Sequence, residues 1–145
     1  MIAPVTKENE QVWAELNIEL WPECSVEGQL EELASGFLKN QFLYYINDIA
    51  IAFLSLSVRR DYVSGADNKE DYPVGYLEGI YIKPEYRKCG IGRKLVEFSK
   101  QWARENGCKT FASDCLIGNS DSEKWHKKIG FTEAERTISF AMKLG

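Results

Sequence analysis

The sequence predicts an α/β (α+β) fold, and three observations carry that prediction. Two amphipathic segments precede the first long β pattern, the pair Asn47-Asp48 splits two apolar runs as a hairpin turn would, and Leu77 to Gly92 reads as strand, basic turn and helix start in immediate succession. A short strand is expected at Ile2 to Val5. Thr6 is positioned to cap a helix carrying Val12, Trp13, Leu16 and Leu20 at helical spacing, and Trp21-Pro22 ends it. Ser25 caps a second helix, with Leu30, Leu33, Phe37 and Leu38 on one side. Phe42 to Ile46 and Ile49 to Val58 form the hairpin, and Asp61 to Tyr72 is a polar loop with a tight turn at Ser64-Gly65. Val74 to Lys83 is the next strand, Ile91 to Glu105 a helix, Lys109 to Asp114 a strand and Ser120 to Lys128 a short helix. Strand material from Phe131 to Leu144 completes a single domain spanning residues 1–145.

Composition narrows the class. A chain of 145 residues buries roughly two-thirds of its unfolded surface. The longest purely apolar run, Ile49 to Leu54, is too short to span a membrane, and the N-terminus lacks a signal-peptide pattern, so a cytoplasmic protein with no membrane partner is expected. Net charge is −4, and no basic face is clustered, which argues against a nucleic-acid partner. Acidic residues gather instead at Glu8 to Glu32, Asp61 to Asp71 and Glu133 to Glu135; they suit a polycationic ligand or a solvated acidic surface. Cys24, Cys89, Cys108 and Cys115 have no metal-ligand spacing and no Cys-x-x-Cys pair, so they read as reduced thiols and no metal is expected.

The segment from Arg87 reads Arg-x-x-Gly-x-Gly, through Lys88, Cys89, Gly90, Ile91 and Gly92 to Arg93. Its glycines let the backbone approach a ligand, and the first turn of the following helix leaves N–H groups unpaired at the positive end of the helix dipole. Such a site favours phosphate. The spacing is neither the Rossmann Gly-x-Gly-x-x-Gly nor the P-loop pattern, and a pyrophosphate bound outside those folds points to coenzyme A.

Within the strand before it, simple alternation places Tyr76, Glu78, Ile80 and Ile82 on one face and Leu77, Gly79, Tyr81 and Lys83 on the other. Glu78 is thus expected among apolar neighbours, where burial would raise its pKa towards general-base use; a structural carboxylate satisfied by backbone donors is the alternative. Gly79 suggests a bulge or a close approach by a ligand. Asp114 closes the next strand, at the end where α/β sheets collect ligands, although aspartate also starts loops and caps helices. Asn119, Ser120 and Asp121 are credible caps for the helix after it.

Arg87 to Gly92, together with Trp125-His126-Lys127-Lys128-Ile129-Gly130-Phe131 downstream, resembles the acetyl-CoA-binding and closing motifs of the GNAT acetyltransferase superfamily. That resemblance implies a mixed central sheet splayed around the acetyl-CoA site, with flanking helices. Leu20-Trp21-Pro22, Ser57 to Gly65, Pro73 to Ile82, Phe111 to Asp114 and Glu133 to Arg136 resemble the aminoglycoside 6'-N-acetyltransferases more specifically, over nearly the whole chain. By that resemblance Trp21, Tyr62, Glu78, Asp114, Asn119 and Glu135 line the substrate site, while Ile80, Tyr81, Ile82 and Lys88 to Arg93 hold acetyl-CoA. A homodimer is implied in the same way. Cys24 departs from a position that is often histidine in relatives, and His126 stands where many superfamily members have a tyrosine able to protonate the departing thiolate. His126 is read here as a cofactor-side or helix-face residue.

The implied chemistry is acetyl transfer to an amine. An alkyl ammonium of lysine-like pKa (~10) costs about 4 kcal/mol to deprotonate at neutral pH. Glu78 is the candidate general base, through water, with Asp114 orienting the amine or sharing the role. A backbone N–H of the Ile80 to Ile82 strand would polarise the acetyl carbonyl. Nothing basic is placed to activate Cys89, so no acyl-enzyme is expected. Trp21 and Tyr62 read either as flat walls for sugar rings or as core. The alternatives are a GNAT acting on a polyamine or protein amine, and a non-catalytic acyl-CoA sensor.

Overall fold

The structure is a computed structural model describing residues 1–145. Its elements run β1 (Ile2–Pro4), α1 (Glu10–Leu20), α2 (Val26–Ala34), β2 (Gln41–Ile46), β3 (Ile49–Arg59), β4 (Val74–Ile82), α3 (Ile91–Glu105), β5 (Thr110–Ser113) and α4 (Ser120–Ile129). Asn47 and Asp48 both take positive φ (47° and 65°), the geometry that matches a tight turn to the twist of its strands, so the β2–β3 hairpin forms where the sequence marks it. The five strands make one sheet in chain order, antiparallel except for the parallel pair β4–β5.

From Ala52 onward adjacent residues of β3 point to opposite faces, and each face has its own core. Leu54 and Leu56 join Leu77, Ile91 and Leu95 beneath α3. Phe53 joins Trp13, Ala14, Leu16 and Tyr81 beneath α1. Full burial of a side chain such as Leu95 stabilises the fold by about 1.5–3 kcal/mol, so α3 is held to the sheet by its apolar stripe rather than by propensity alone. Because only residues 83–90 join β4 to α3, this packing fixes the Arg87–Gly92 turn near the end of that strand.

Two features of β4 build the site. The first is a bulge: Ser55 lies opposite Gly79 and Leu56 opposite Leu77, leaving Glu78 as the unpaired extra residue. The bulge resets the alternation, so Ile80 and Ile82 pack with Leu77 on the α3 side while Tyr81 lies under α1. The expected grouping of Tyr76, Glu78, Ile80 and Ile82 on one face is corrected accordingly. The second is a fork. β4 pairs with β3 along its length but with β5 only from Val74 to Leu77, so the strands part beyond Leu77. Lys83 N–H bonds to Ile51 O on β3, which by alternation turns the N–H and C=O groups of Ile80 and Ile82 away from β3 and into the opening.

Three local expectations are corrected. Thr6 is not the cap of α1: the helix starts later, after Asn9, whose side chain instead accepts from the Thr6 N–H. Phe37 lies beyond the end of α2 and is exposed. Phe131 to Leu144 forms no strand, because no strand of this chain pairs with it, and Ile138, Phe140, Met142 and Leu144 stand 71%, 91%, 85% and 94% exposed. Ser25 does cap α2, accepting from Gly28 N–H at 3.0 Å, and Asn119 caps α4, accepting from Ser122 N–H at 3.2 Å.

Candidate active site

The anion turn keeps the character expected of it. Gly90 is the residue before α3, with φ of 83° and no side chain to occupy the helix N–H groups, and open space surrounds the position of its missing Cβ. Lys88 also takes a positive φ, 62°. Arg87 folds back and donates from Nε to Ile82 O at 2.8 Å, which ties the turn to the fork. Cys89 is exposed, and its Sγ has only Arg87 O nearby, at 3.4 Å. Ile91 is buried against the sheet, so it offers the site its backbone. These groups fit a pyrophosphate: unpaired N–H donors, flanking cations Lys88 and Arg93, and an unobstructed approach.

The strand beside it contributes main chain more than side chain. Tyr81 turns into the α1 core, where its hydroxyl donates to Glu19 at 2.9 Å; burial first, and then Glu19, hold its phenol above the usual range. His126 lies at the apex of the fork. Its Nδ1 donates to the Ser122 carbonyl at 2.7 Å and its Nε2 faces the Ser113 hydroxyl at 2.8 Å, which fixes the plane of the ring. Ser113 is the last residue of β5 paired with β4. His126 thereby links α4 to the point where the strands part.

Glu78 departs most from expectation. It is exposed, because the bulge turns it out of the apolar stripe, and the premise of burial is corrected. Both its oxygens are taken: Arg59 donates from Nε to Oε2 at 3.0 Å and from its terminal nitrogen to Oε1 at 2.7 Å, and Ser57 donates to Oε2 at 2.5 Å. The Arg59 guanidinium lies 3.5 Å from the centre of the Tyr76 ring. The Tyr76 hydroxyl donates in turn to Asp114 Oδ2. Burial, reinforced by that hydrogen bond and the charge of Asp114, pushes the Tyr76 phenol far above its ordinary range, which keeps it a donor. Ser57, Glu78, Arg59, Tyr76 and Asp114 therefore form one continuous polar chain across three strands. Sequence reasoning missed Arg59 and Tyr76 as site residues. Only the cross-strand register, which sets Ser57 opposite Tyr76, could have found them.

Around this chain the other expected substrate residues divide into groups. A cleft of about 990 Å³ is lined by Arg59, Tyr62, Tyr76, Asp114, His126 and Glu135 among others. Tyr62 is 66% exposed there, and Ser64 donates to Glu135, which brings the polar loop and the C-terminal segment together. Trp21 is not among the residues lining that cleft: a Cβ on Gly79 would stand 2.7 Å from Trp21 Cη2, and the indole tilts against Phe53 at 5.6 Å. Gly79 is thus where an aromatic ring meets the strand backbone. Asn119 is exposed and spends its side chain on the α4 cap.

A fork beside a helix start suited to phosphate, with carboxylates at its mouth, is the arrangement of an acyl-coenzyme-dependent transferase. The profile described as the acetyltransferase (GNAT) family matches residues 7–131, and the chain belongs to that family. Within it, the chain is similar to aminoglycoside N(6')-acetyltransferases type 1: one from Acinetobacter haemolyticus is 34% identical across 99% of this chain and 98% of its own length, and one from Acinetobacter genomosp. 13 is 37% identical across 99% of each. The crystal structure of an aminoglycoside antibiotic 6'-N-acetyltransferase from A. haemolyticus superposes with a TM-score of 0.90 at 34% identity, covering 100% of this chain and 99% of that one. The structure of AAC(6')-Iy with the bisubstrate analogue CoA-S-monomethyl-acetylneamine superposes at 0.87, with 32% identity over 99% of this chain and 97% of that one.

Proposed function

We propose that this protein transfers the acetyl group of acetyl-CoA to the 6'-amino group of aminoglycoside antibiotics, in a ternary complex and without an acyl-enzyme, and so confers resistance to them. The observation that carries this reading is the pair of carboxylates at the mouth of the fork, Glu78 in β4 and Asp114 just beyond the end of β5, joined through Arg59 and Tyr76. An acyl-CoA sensor has no evident use for them. Full-length similarity to aminoglycoside 6'-N-acetyltransferases supports the acceptor.

In this reading the α3 N–H groups, with Lys88 and Arg93, hold the pyrophosphate, and the main chain of Ile80 and Ile82 aligns the rest of the coenzyme along the fork. When bound, acetyl-CoA supplies an acetyl group activated as a thioester. An N–H of Ile80 or Ile82 is aimed to polarise the acetyl carbonyl. Asp114, held by Tyr76, binds and orients the acceptor ammonium. Glu78 takes its proton, through water, so that the neutral amine can attack the thioester carbon; the C–N bond forms as the C–S bond breaks, and coenzyme A leaves as its thiolate while the nitrogen gives its surplus proton to water. Tyr62 and Trp21 provide flat surfaces for sugar rings, and Glu135 binds a second cationic group. His126 positions the fork apex, held at Nδ1 by Ser122 O and at Nε2 by the Ser113 hydroxyl.

The 145 residues act as one acetyltransferase domain, in the cytoplasm where coenzyme A is available. A homodimer is supported by the alternating, largely exposed Ile138, Phe140, Met142 and Leu144, a strand pattern that lacks a partner within its own chain. The test is coenzyme A release by purified protein with acetyl-CoA, across aminoglycosides with a free 6'-amine, matched 6'-hydroxyl compounds, spermidine and a lysine peptide. Turnover confined to the 6'-amine set is expected. Equal rates with spermidine or the peptide would overturn the acceptor assignment.

A further inference from the structure

We infer that Arg59 is a built-in cation that occupies the acceptor's place on Glu78, and that an incoming ammonium must displace it or share the carboxylate with it. The inference rests on the acceptor reading above and adds to it a residue that sets how strongly, and for how many charges, the site selects. Three observations carry it. First, Arg59 is forked onto both oxygens of Glu78, and Ser57 takes a further position on one of them, so the carboxylate is neutralised and largely satisfied before any acceptor arrives. Second, the guanidinium rests on the Tyr76 ring, whose hydroxyl is bonded to Asp114. A single positive charge therefore lies between the two carboxylates that a cationic amine would use. Third, Arg59 can leave: its side chain is 41% exposed, Glu78 is 32% exposed, and no other carboxylate holds the guanidinium. A structural ion pair meant to stay shut would be expected deeper in the fold, with its remaining donors satisfied.

The energetics permit exchange. Exposed carboxylate–guanidinium pairs are worth about 0–1 kcal/mol and a forked, half-exposed one lies at or above the top of that range, but the ammonium that replaces Arg59 regains a like pair on Glu78, so the exchange costs little. While Arg59 remains nearby, it also repels a bound ammonium. The site thus admits polycationic acceptors, which recover the exchange through Asp114 and Glu135, over monoamines, which have one contact to offer. Arg59 acts on acceptor affinity by charge and by position, not by touching the reacting atoms.

The experiment is isothermal titration calorimetry of kanamycin A into protein saturated with coenzyme A, for the wild type, Arg59→Met, Arg59→Lys, Glu78→Gln and the Arg59→Met/Glu78→Gln double variant. Arg59→Met keeps the apolar stem over Tyr76 and removes the charge, and is expected to lower Kd about fivefold, the scale of one exposed ion pair. Arg59→Lys, which keeps the charge, stays near the wild-type value. In the Glu78→Gln background the same Arg59→Met change brings a gain at least twofold smaller, because the two residues act as a pair. Coenzyme A affinity, titrated in each variant, reports whether the fork is intact. Unchanged or weaker kanamycin binding by Arg59→Met, with coenzyme A affinity retained, overturns the inference and leaves the acceptor reading standing. If Arg59→Met loses coenzyme A as well, Arg59 is a structural support and the inference is equally overturned. No kanamycin binding by the wild type overturns the acceptor reading, and this inference with it.

Discussion

The anion turn at Arg87 to Arg93 and the acceptor face around Glu78 lie at the two ends of one fork, yet they are built from different materials. The turn presents main-chain N–H groups whose direction is set by Gly90 and by the packing of α3, so its chemistry survives many side-chain changes. The acceptor face presents side chains that hold one another, from Ser57 through Glu78, Arg59 and Tyr76 to Asp114, and its geometry depends on one bulged residue. A backbone site suits a cofactor that never varies. A side-chain site can be retuned by single substitutions, as a site for varied amines requires.

The largest expected effect separates the two ends. Glu78→Gln should lower kcat about a hundredfold or more, within the range of a lost general base, while acetyl-CoA affinity measured by calorimetry stays within about twofold. Equal loss in both would make Glu78 structural and dissolve the distinction. Next comes Gly79→Val. Its Cβ would meet Trp21 2.7 Å away, so the indole must shift; the acceptor KM should rise about tenfold and the acetyl-CoA KM little, with about 1–3 kcal/mol of stability lost to overpacking in thermal melts. Gly90→Ala is the mirror case. At φ of 83° a Cβ costs about 1–2 kcal/mol, and because it distorts the helix start, acetyl-CoA binding should weaken about fivefold while the acceptor KM holds.

How much of this was legible in the sequence follows the same division. Arg87 to Gly92 could be read directly, because glycine spacing and a helix start are local properties. The hairpin at Asn47-Asp48, the α2 cap at Ser25 and α3 from Ile91 to Glu105 were readable for the same reason. Glu78 was singled out correctly as an odd residue in β4, but its surroundings were not, since alternation fails at a bulge and Gly79 announced the bulge without giving its direction. Arg59 and Tyr76 were silent because their meaning depends on register across three strands. The C-terminal segment misled for a third reason: Ile138, Phe140, Met142 and Leu144 have strand spacing, but a strand needs a neighbour, and spacing does not say whose.

The smallest expected effect lies away from both ends, where the C-terminal segment leaves α4. Hydrogen bonds from Lys127 and then Arg136 hold the Glu123 carboxyl below its usual range. A lowered folded value means this contribution is present above the ordinary carboxylate pKa and fades as pH falls through the lowered one. Melting temperature should therefore decline on the acid side. Arg136→Ala should flatten that decline slightly, with activity unchanged; an unaltered profile would show that the network does not anchor the segment.

The most direct test of the central claim is the identity of the product. Kanamycin A carries several amines, and proton NMR of the material formed with acetyl-CoA locates the new amide. A single acetamide at the 6' position is expected, as the carboxylates at the fork would impose. Acetylation at another amine, or a mixture, would contradict it.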